Sequence, residues 1–194
     1  MIERGGKKIA YVRLMGFSEG AHGLLRQELE PLLKQGAQGV VLDLRGNPGG
    51  LLSEAVLVSS IFIEDGTIVS VRGRHRDERT HEAEGDAIDE DIPVVVLVNG
   101  GSASASEIVT GALRDTDRGT VVGTRTFGKG LVQELIPLSN GGVLDLTVAN
   151  YYLPGGKTIS TRGFEPDVRA RDNPDTDRDE ALPKALDALA RELR

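Results

Sequence analysis

Val94-Val95-Val96-Leu97-Val98-Asn99-Gly100-Gly101-Ser102-Ala103-Ser104-Ala105-Ser106-Glu107 is the stretch on which the fold turns. Val94 to Val98 is a continuous apolar run of strand length, the pattern of a strand covered on both faces. Asn99-Gly100-Gly101 breaks it. Ser104 and Glu107 then fit a capping box, with Ser104 at the N-cap of a helix expected over Ser104 to Asp115. A strand-to-helix turn is also where backbone amides point at a developing negative charge. Cap and nucleophile share this location, so spacing alone leaves both roles open for Ser104.

Outward from this stretch the same rhythm repeats. Gly39 to Leu44 is a second apolar run, followed by the turn Arg45-Gly46-Asn47-Pro48-Gly49-Gly50 and a helix expected over Leu51 to Ile63. Lys8 to Leu14 alternates polar and apolar, a half-buried strand. Ser18 and Glu19 open a helix expected over Glu19 to Lys34. Thr67 to Arg72, Pro93 to Val98 and Gly119 to Gly123 read as strands, and the charged stretch Arg74 to Asp91 as a surface hairpin or loop. Leu131 to Pro137 and Gly142 to Tyr152 are the last long strands, joined by the turn signal Ser139-Asn140-Gly141. Arg169 to Arg178 is polar and expected to be a mobile linker. Ala181 to Leu193 closes as an amphipathic helix. The fold class expected is α/β, with a mixed, largely parallel sheet flanked by helices. Residues 1–170 form the core, and 171–194 a polar linker with its C-terminal helix.

The chain has 194 residues, enough for one domain with its own core. Only 4% of residues are aromatic, so that core must be built from Val, Leu, Ile and Ala. A net charge of −7 argues against a nucleic-acid partner, which would need a basic footprint. The absence of cysteine excludes thiol catalysis, disulfides and thiolate metal sites. No apolar run approaches the ~18 residues needed to span a bilayer. Met1 to Gly6 is polar and reads as no signal peptide. The chain is expected to be either naturally soluble and compact or a piece of something longer.

A serine hydroxyl needs a base beside it. His22 falls in an amphipathic helix, and His75 and His81 fall in the charged stretch, so none adjoins a turn that would orient it. Lys129 stands in Phe127-Gly128-Lys129-Gly130-Leu131, with apolar neighbours, glycines that let backbone crowd it, and no acid within four residues. A lysine serves as base only when desolvation lowers its pKa from about 10.4, and a fall of about 3 units corresponds to roughly 4 kcal/mol. The competing reading is a lysine that snorkels at the start of a strand. The turn at Arg45 to Gly50 lies, like that at Asn99, at the carboxyl end of a strand, where ligands gather in α/β sheets. Gly50 and Ala105 N–H groups are candidate oxyanion donors, against an ordinary βα turn. Its spacing fits neither a dinucleotide fingerprint nor a P-loop.

Three motifs taken together, Leu42 to Gly50, Ser102 to Glu107, and Thr126-Phe127-Gly128-Lys129-Gly130-Leu131-Val132-Gln133, closely resemble the carboxyl-terminal processing peptidases, also called tail-specific proteases, of the S41 type. The resemblance covers Ile9 to Val168 and implies a ClpP/crotonase-like core. It implies a serine endopeptidase with a Ser–Lys dyad that cuts protein or peptide substrates near their carboxyl termini through an acyl-enzyme. Ser104 is then the nucleophile, Lys129 the general base, and Gln133 the residue that orients the lysine. Gly50 and Ala105 form the oxyanion hole, and Asp115 has a supporting role. No metal and no organic cofactor is expected. Family members usually carry a PDZ domain that captures the substrate terminus; no such domain fits here, so the chain resembles a catalytic core, with a PDZ domain expected in any longer parent. The family also suggests an extracytoplasmic setting, periplasmic or secreted. The alternatives are a catalytically silent peptide- or ligand-binding core, an acyl-CoA enzyme on the crotonase fold, and a Ser–His hydrolase.

Overall fold

The computed structural model describes residues 1–159, 162–173 and 175–193. Ser160, Thr161, Pro174 and Arg194 lie outside the described residues, Pro174 within the polar stretch expected as a linker. The N-terminal half contains β1 (Ile2–Arg4), β2 (Lys7–Arg13), α1 (Ala21–Lys34), β3 (Gly39–Asp43), α2 (Leu52–Ser60), β4 (Thr67–Gly73) and β5 (Arg76–Glu82). Then follow β6 (Val94–Val98), α3 (Ala105–Asp115), β7 (Gly119–Gly123), β8 (Leu131–Pro137), β9 (Val143–Tyr152), β10 (Val168–Arg169) and α4 (Ala181–Glu192).

The main sheet has the order β1-β2-β3-β6-β7-β10. Every pairing in it is parallel except β1 with β2. Val40, Leu42, Val94, Val96 and Val98 face a core shared with α1, α2 and α3. Val41, Val95 and Leu97 face the other way, against Ala185, Leu186 and Leu189 of α4. Cover on both faces is why β3 and β6 read as unbroken apolar runs. Both strands end at their carboxyl side in the two glycine turns, so the sheet sets those turns side by side.

This is the mixed, largely parallel sheet that the sequence implies. The later strands build a second sheet, β5-β4-β9-β8, antiparallel throughout. The reason is connectivity: β8 and β9 are joined by a tight hairpin, and no helix between them can return the chain in parallel. The charged stretch after Gly73 is a hairpin in part, β5 folding back on β4.

Two carboxylates act over long sequence distances. Helix α1 starts at Ala21, later than Ser18 and Glu19 imply, because its cap comes from elsewhere. Buried Glu54 of α2 accepts from the N–H of Gly20 at 2.8 Å and of His22 at 2.9 Å, and from His22 Nδ1 at 2.8 Å. Burial pushes the Glu54 carboxyl up, but the bonds from His22 and Gly20 outweigh it and hold the carboxyl below its ordinary 4.5. Arg45, buried at the start of the first glycine turn, binds Asp43 at 2.7 Å and Asp179 at 2.7 Å, and reaches Asp172 at 3.2 Å. Asp172 in turn accepts from the N–H groups of Glu180 and Ala181 at 2.9 Å each, capping α4. The polar stretch expected to be a mobile linker is therefore tied to the end of β3.

Arg45→Ala is expected to cost about 3–5 kcal/mol in a denaturant titration, because it leaves Asp43 charged and wholly buried. Asp179→Ala, whose side chain is 40% exposed, should cost no more than about 1 kcal/mol. Equal losses would contradict the assignment. A depressed carboxyl contributes stability that is present above its unfolded value and lost as pH falls through the folded one. Glu54→Gln should therefore flatten the loss of stability on acidification below about pH 4.5.

Candidate active site

Side-chain and backbone hydrogen bonds bolt the two glycine turns together. Ser102 Oγ donates to Leu44 O at 2.7 Å and accepts from Asn99 N–H at 3.0 Å. Ser106 Oγ donates to Asn47 O at 2.9 Å, and Ala103 N–H to the same oxygen at 3.0 Å. Asn99 Oδ1 accepts from Gly46 and Gly101 N–H, both at 2.9 Å. Asn47 spans the inside of its own turn, donating to Leu14 O at 2.8 Å and accepting from Gly49 N–H at 2.9 Å. Ser102 and Ser106 are wholly buried in this work, which separates them from Ser104, the one partly exposed serine of the three.

Ser104 sits at φ 53°, ψ −113°, a region costly for any residue with a Cβ, by about 1–3 kcal/mol. Its surroundings force the conformation. A Cβ added at Gly49 (φ +100°) would lie 2.7 Å from Ala103 O and 2.9 Å from Ser104 Cβ. Only glycine lets the first turn press so closely on the second. At Gly50 (φ +149°) the added atom would lie 2.3 Å from Phe17 O. Among the described residues, the N–H groups of Gly50 and Ala105 donate to no protein acceptor. Two unspent amides thus flank the serine turn.

The lysine loop is attached to the serine turn by one carboxylate. Glu107, in the first turn of α3, is wholly buried. Its Oε2 accepts from Ser104 N–H at 3.0 Å and Lys129 N–H at 2.8 Å. Its Oε1 accepts from Thr126 Oγ1 at 2.6 Å and Gly128 N–H at 2.8 Å. Phe127 N–H adds a bond to Ser102 O at 3.0 Å. Four donors and the positive end of a helix hold the charge where no cation pairs with it among the described residues.

Residues 8–170 match peptidase family S41. The chain belongs to that family. It is 47% identical over 166 residues to a carboxy-terminal-processing protease of Bartonella bacilliformis, covering 82% of this chain and 38% of that one. It is 40% identical over 187 residues to the chloroplastic C-terminal processing peptidase of Tetradesmus obliquus, covering 96% of this chain and 39% of that one. Among solved structures, a photosystem II D1 C-terminal processing protease superposes with a TM-score of 0.81 at 40% identity, over 94% of this chain and 46% of the other. The chain thus spans about two fifths of the length of these curated relatives.

Within this S41 core the lysine side chain is not where desolvation would put it. Lys129 is exposed, and its flanking apolar residues Phe127 and Leu131 are exposed with it, 62% and 40% respectively. Their side chains face solvent instead of covering the amine. Among the described residues no hydrogen bond joins the Lys129 amine to Ser104 or to Gln133. Gln133 Nε2 donates instead to Asp145 Oδ2 at 3.1 Å, across the β8–β9 hairpin. Asp115 accepts from Gly155 N–H at 3.1 Å, holding the turn after β9 to the end of α3. His22 is occupied by Glu54, and His75 and His81 lie on the β4–β5 hairpin. In the sequence Glu107 reads only as a helix cap, and Thr126 only as a motif position. Their convergence has no local signature beyond the serine-to-glutamate spacing.

Glu107→Gln turns one acceptor oxygen into a donor that faces two donors. The expected loss is about 1–3 kcal/mol in stability. Amide hydrogen exchange at Ser104, Gly128 and Lys129 should quicken together, ahead of the interior of α3. Unchanged protection at the lysine loop would show that the carboxylate is not the joint.

Proposed function

We propose that this chain is the catalytic core of a serine endopeptidase that cuts protein substrates near their carboxyl termini. Ser104 is the nucleophile, Lys129 the general base, and the Gly50 and Ala105 amides the oxyanion donors. The observation that carries this reading is the Glu107 carboxylate, which binds the backbone amides of both Ser104 and Lys129. A joint between those two residues has an obvious use where one must take a proton from the other. The two unspent amides beside the serine support the same reading, since oxyanion donors must keep their N–H groups for the reacting carbonyl.

In the proposed reaction, neutral Lys129 accepts the Ser104 proton as Oγ forms a bond to the scissile carbonyl carbon. The carbonyl π electrons move to oxygen, which the two amides hold. Collapse breaks the C–N bond, the departing amine takes the proton from lysine, and water then hydrolyses the ester. An ammonium in water cannot serve as this base, so substrate docking against Phe127 and Leu131 is the step that dries it. Gln133 orients the lysine in that closed state, and Asp115 supports the end of α3. The relatives' greater length leaves room for a PDZ domain in a longer parent chain, and an extracytoplasmic setting belongs to the same reading.

The exposed amine favours one rival, a core that binds peptides or other ligands without turnover. Hydrolysis of an unfolded protein separates the two. Ser104→Ala and Lys129→Ala should each lower the rate by about 10³-fold or more. An activated ester should leave its acyl group on Ser104, read by mass spectrometry. Turnover that survives Lys129→Ala would sink the dyad, and no acylation of Ser104 would sink the peptidase.

A further inference from the structure

A cavity of about 670 Å³ lies on one face of the second sheet, within the size range of about 300–1,000 Å³ usual for ligand sites. Leu52, two residues past Gly50, forms one part of its wall; Val132, three past Lys129, forms another. The cavity is thus lined by residues a few positions along the chain from both Gly50 and Lys129. Its far wall is the β4–β5 hairpin, which contributes Arg74, His75, Arg79 and His81. In the sheet, Arg79 stands opposite Val71 and His81 opposite Val69.

Arg74 and Arg79 have no acid partner among the described residues. This contrasts with Arg4, Arg26, Arg72 and Arg125, each of which pairs with a carboxylate. In a chain with 30 acids and 23 Lys and Arg residues, spare arginines gathered at one cavity are an electrostatic feature. Two acids, Asp77 and Glu134, share the wall, and Glu134 already has an interaction of its own. Their presence disfavours a multiply charged anion such as a phosphate and suits a single negative charge. Guanidinium groups bind carboxylates through two parallel hydrogen bonds, the planar match that an ammonium lacks.

We infer that this cavity holds the free α-carboxylate at the end of the substrate, with Arg74 and Arg79 as its recognition groups. The assignment rests on the peptidase reading above and names the feature by which that site selects a chain terminus. A substrate that reaches from Ser104 along Leu52 or Val132 to these guanidinium groups would have its cut set at a fixed distance from its terminus. The core would thereby favour cuts near an end even without help from another domain.

The test uses the full chain carrying Ser104→Ala, so that binding is read without turnover. A short labelled apolar peptide is prepared in three forms: free α-carboxylate, α-carboxamide, and carboxamide with Asp as its last residue. The free acid should bind about tenfold tighter than the amide, as expected for a charged hydrogen bond. The Asp form should bind like the amide. Arg74→Gln and Arg79→Gln together should bring the acid-to-amide ratio close to one, with thermal melting used to verify that the exposed changes leave the fold intact. Equal binding of acid and amide overturns the inference, as does a ratio untouched by the arginine changes or no binding of any form. An Asp form that matches the acid assigns the site to acidic side chains and overturns it too. Hydrolysis with Ser104 intact reads the peptidase separately, so either proposal can fail while the other stands.

Discussion

The structure of the site depends on one buried carboxylate. Glu107 lies inside the protein without a counter-ion among the described residues, and it is tolerated there because four donors meet it. Three of the four are backbone N–H groups, so the carboxylate fixes chain position directly. It locates the turn that carries Ser104 and the loop that carries Lys129 relative to each other. Everything else at the site then follows from what those two segments are attached to. The serine turn hangs from the end of β6 and the first glycine turn from the end of β3, adjacent parallel strands in fixed register.

The strain at Ser104 belongs to the same arrangement. A side-chain-bearing residue in left-handed backbone persists only where its neighbours leave no alternative. Here Glu107 holds its amide, Gly49 crowds its Cβ, and Ser102 and Ser106 pin the turn on both sides to the β3 end. Ser102 and Ser106 are the fasteners of this turn. The Arg45 cluster extends this outward, since one guanidinium joins the first glycine turn to the segment leading into α4.

Rigid backbone contrasts with uncommitted side chains. The β8–β9 hairpin carries Leu135 at 71% and Val143 at 60% exposed, and Lys129 stands at its base in water. The apolar groups beside this lysine, Phe127 and Leu131, are turned outward with it. The backbone amides of the site are fixed by hydrogen bonds, whereas the Lys129 amine meets solvent.

Elements with local causes are legible in the amino-acid order. β3 and β6 follow from their apolar runs, α3 from its capping box, and the β8–β9 hairpin from Asn140-Gly141. The three motifs likewise carried the family. Features that depend on partners far along the chain emerge only once the chain is folded. The start of α1 was set by Glu54, more than thirty residues away in sequence. The polar stretch before α4 was ordered by Arg45, and the later strands left the main sheet because β9 pairs with β4. Glu107 could be read as a cap from its spacing to Ser104, but its grip on Thr126, Gly128 and Lys129 could not. The exposure of Lys129 escaped for a related reason. Neighbours in sequence state what flanks a residue along the chain, and only the fold states which way those side chains face.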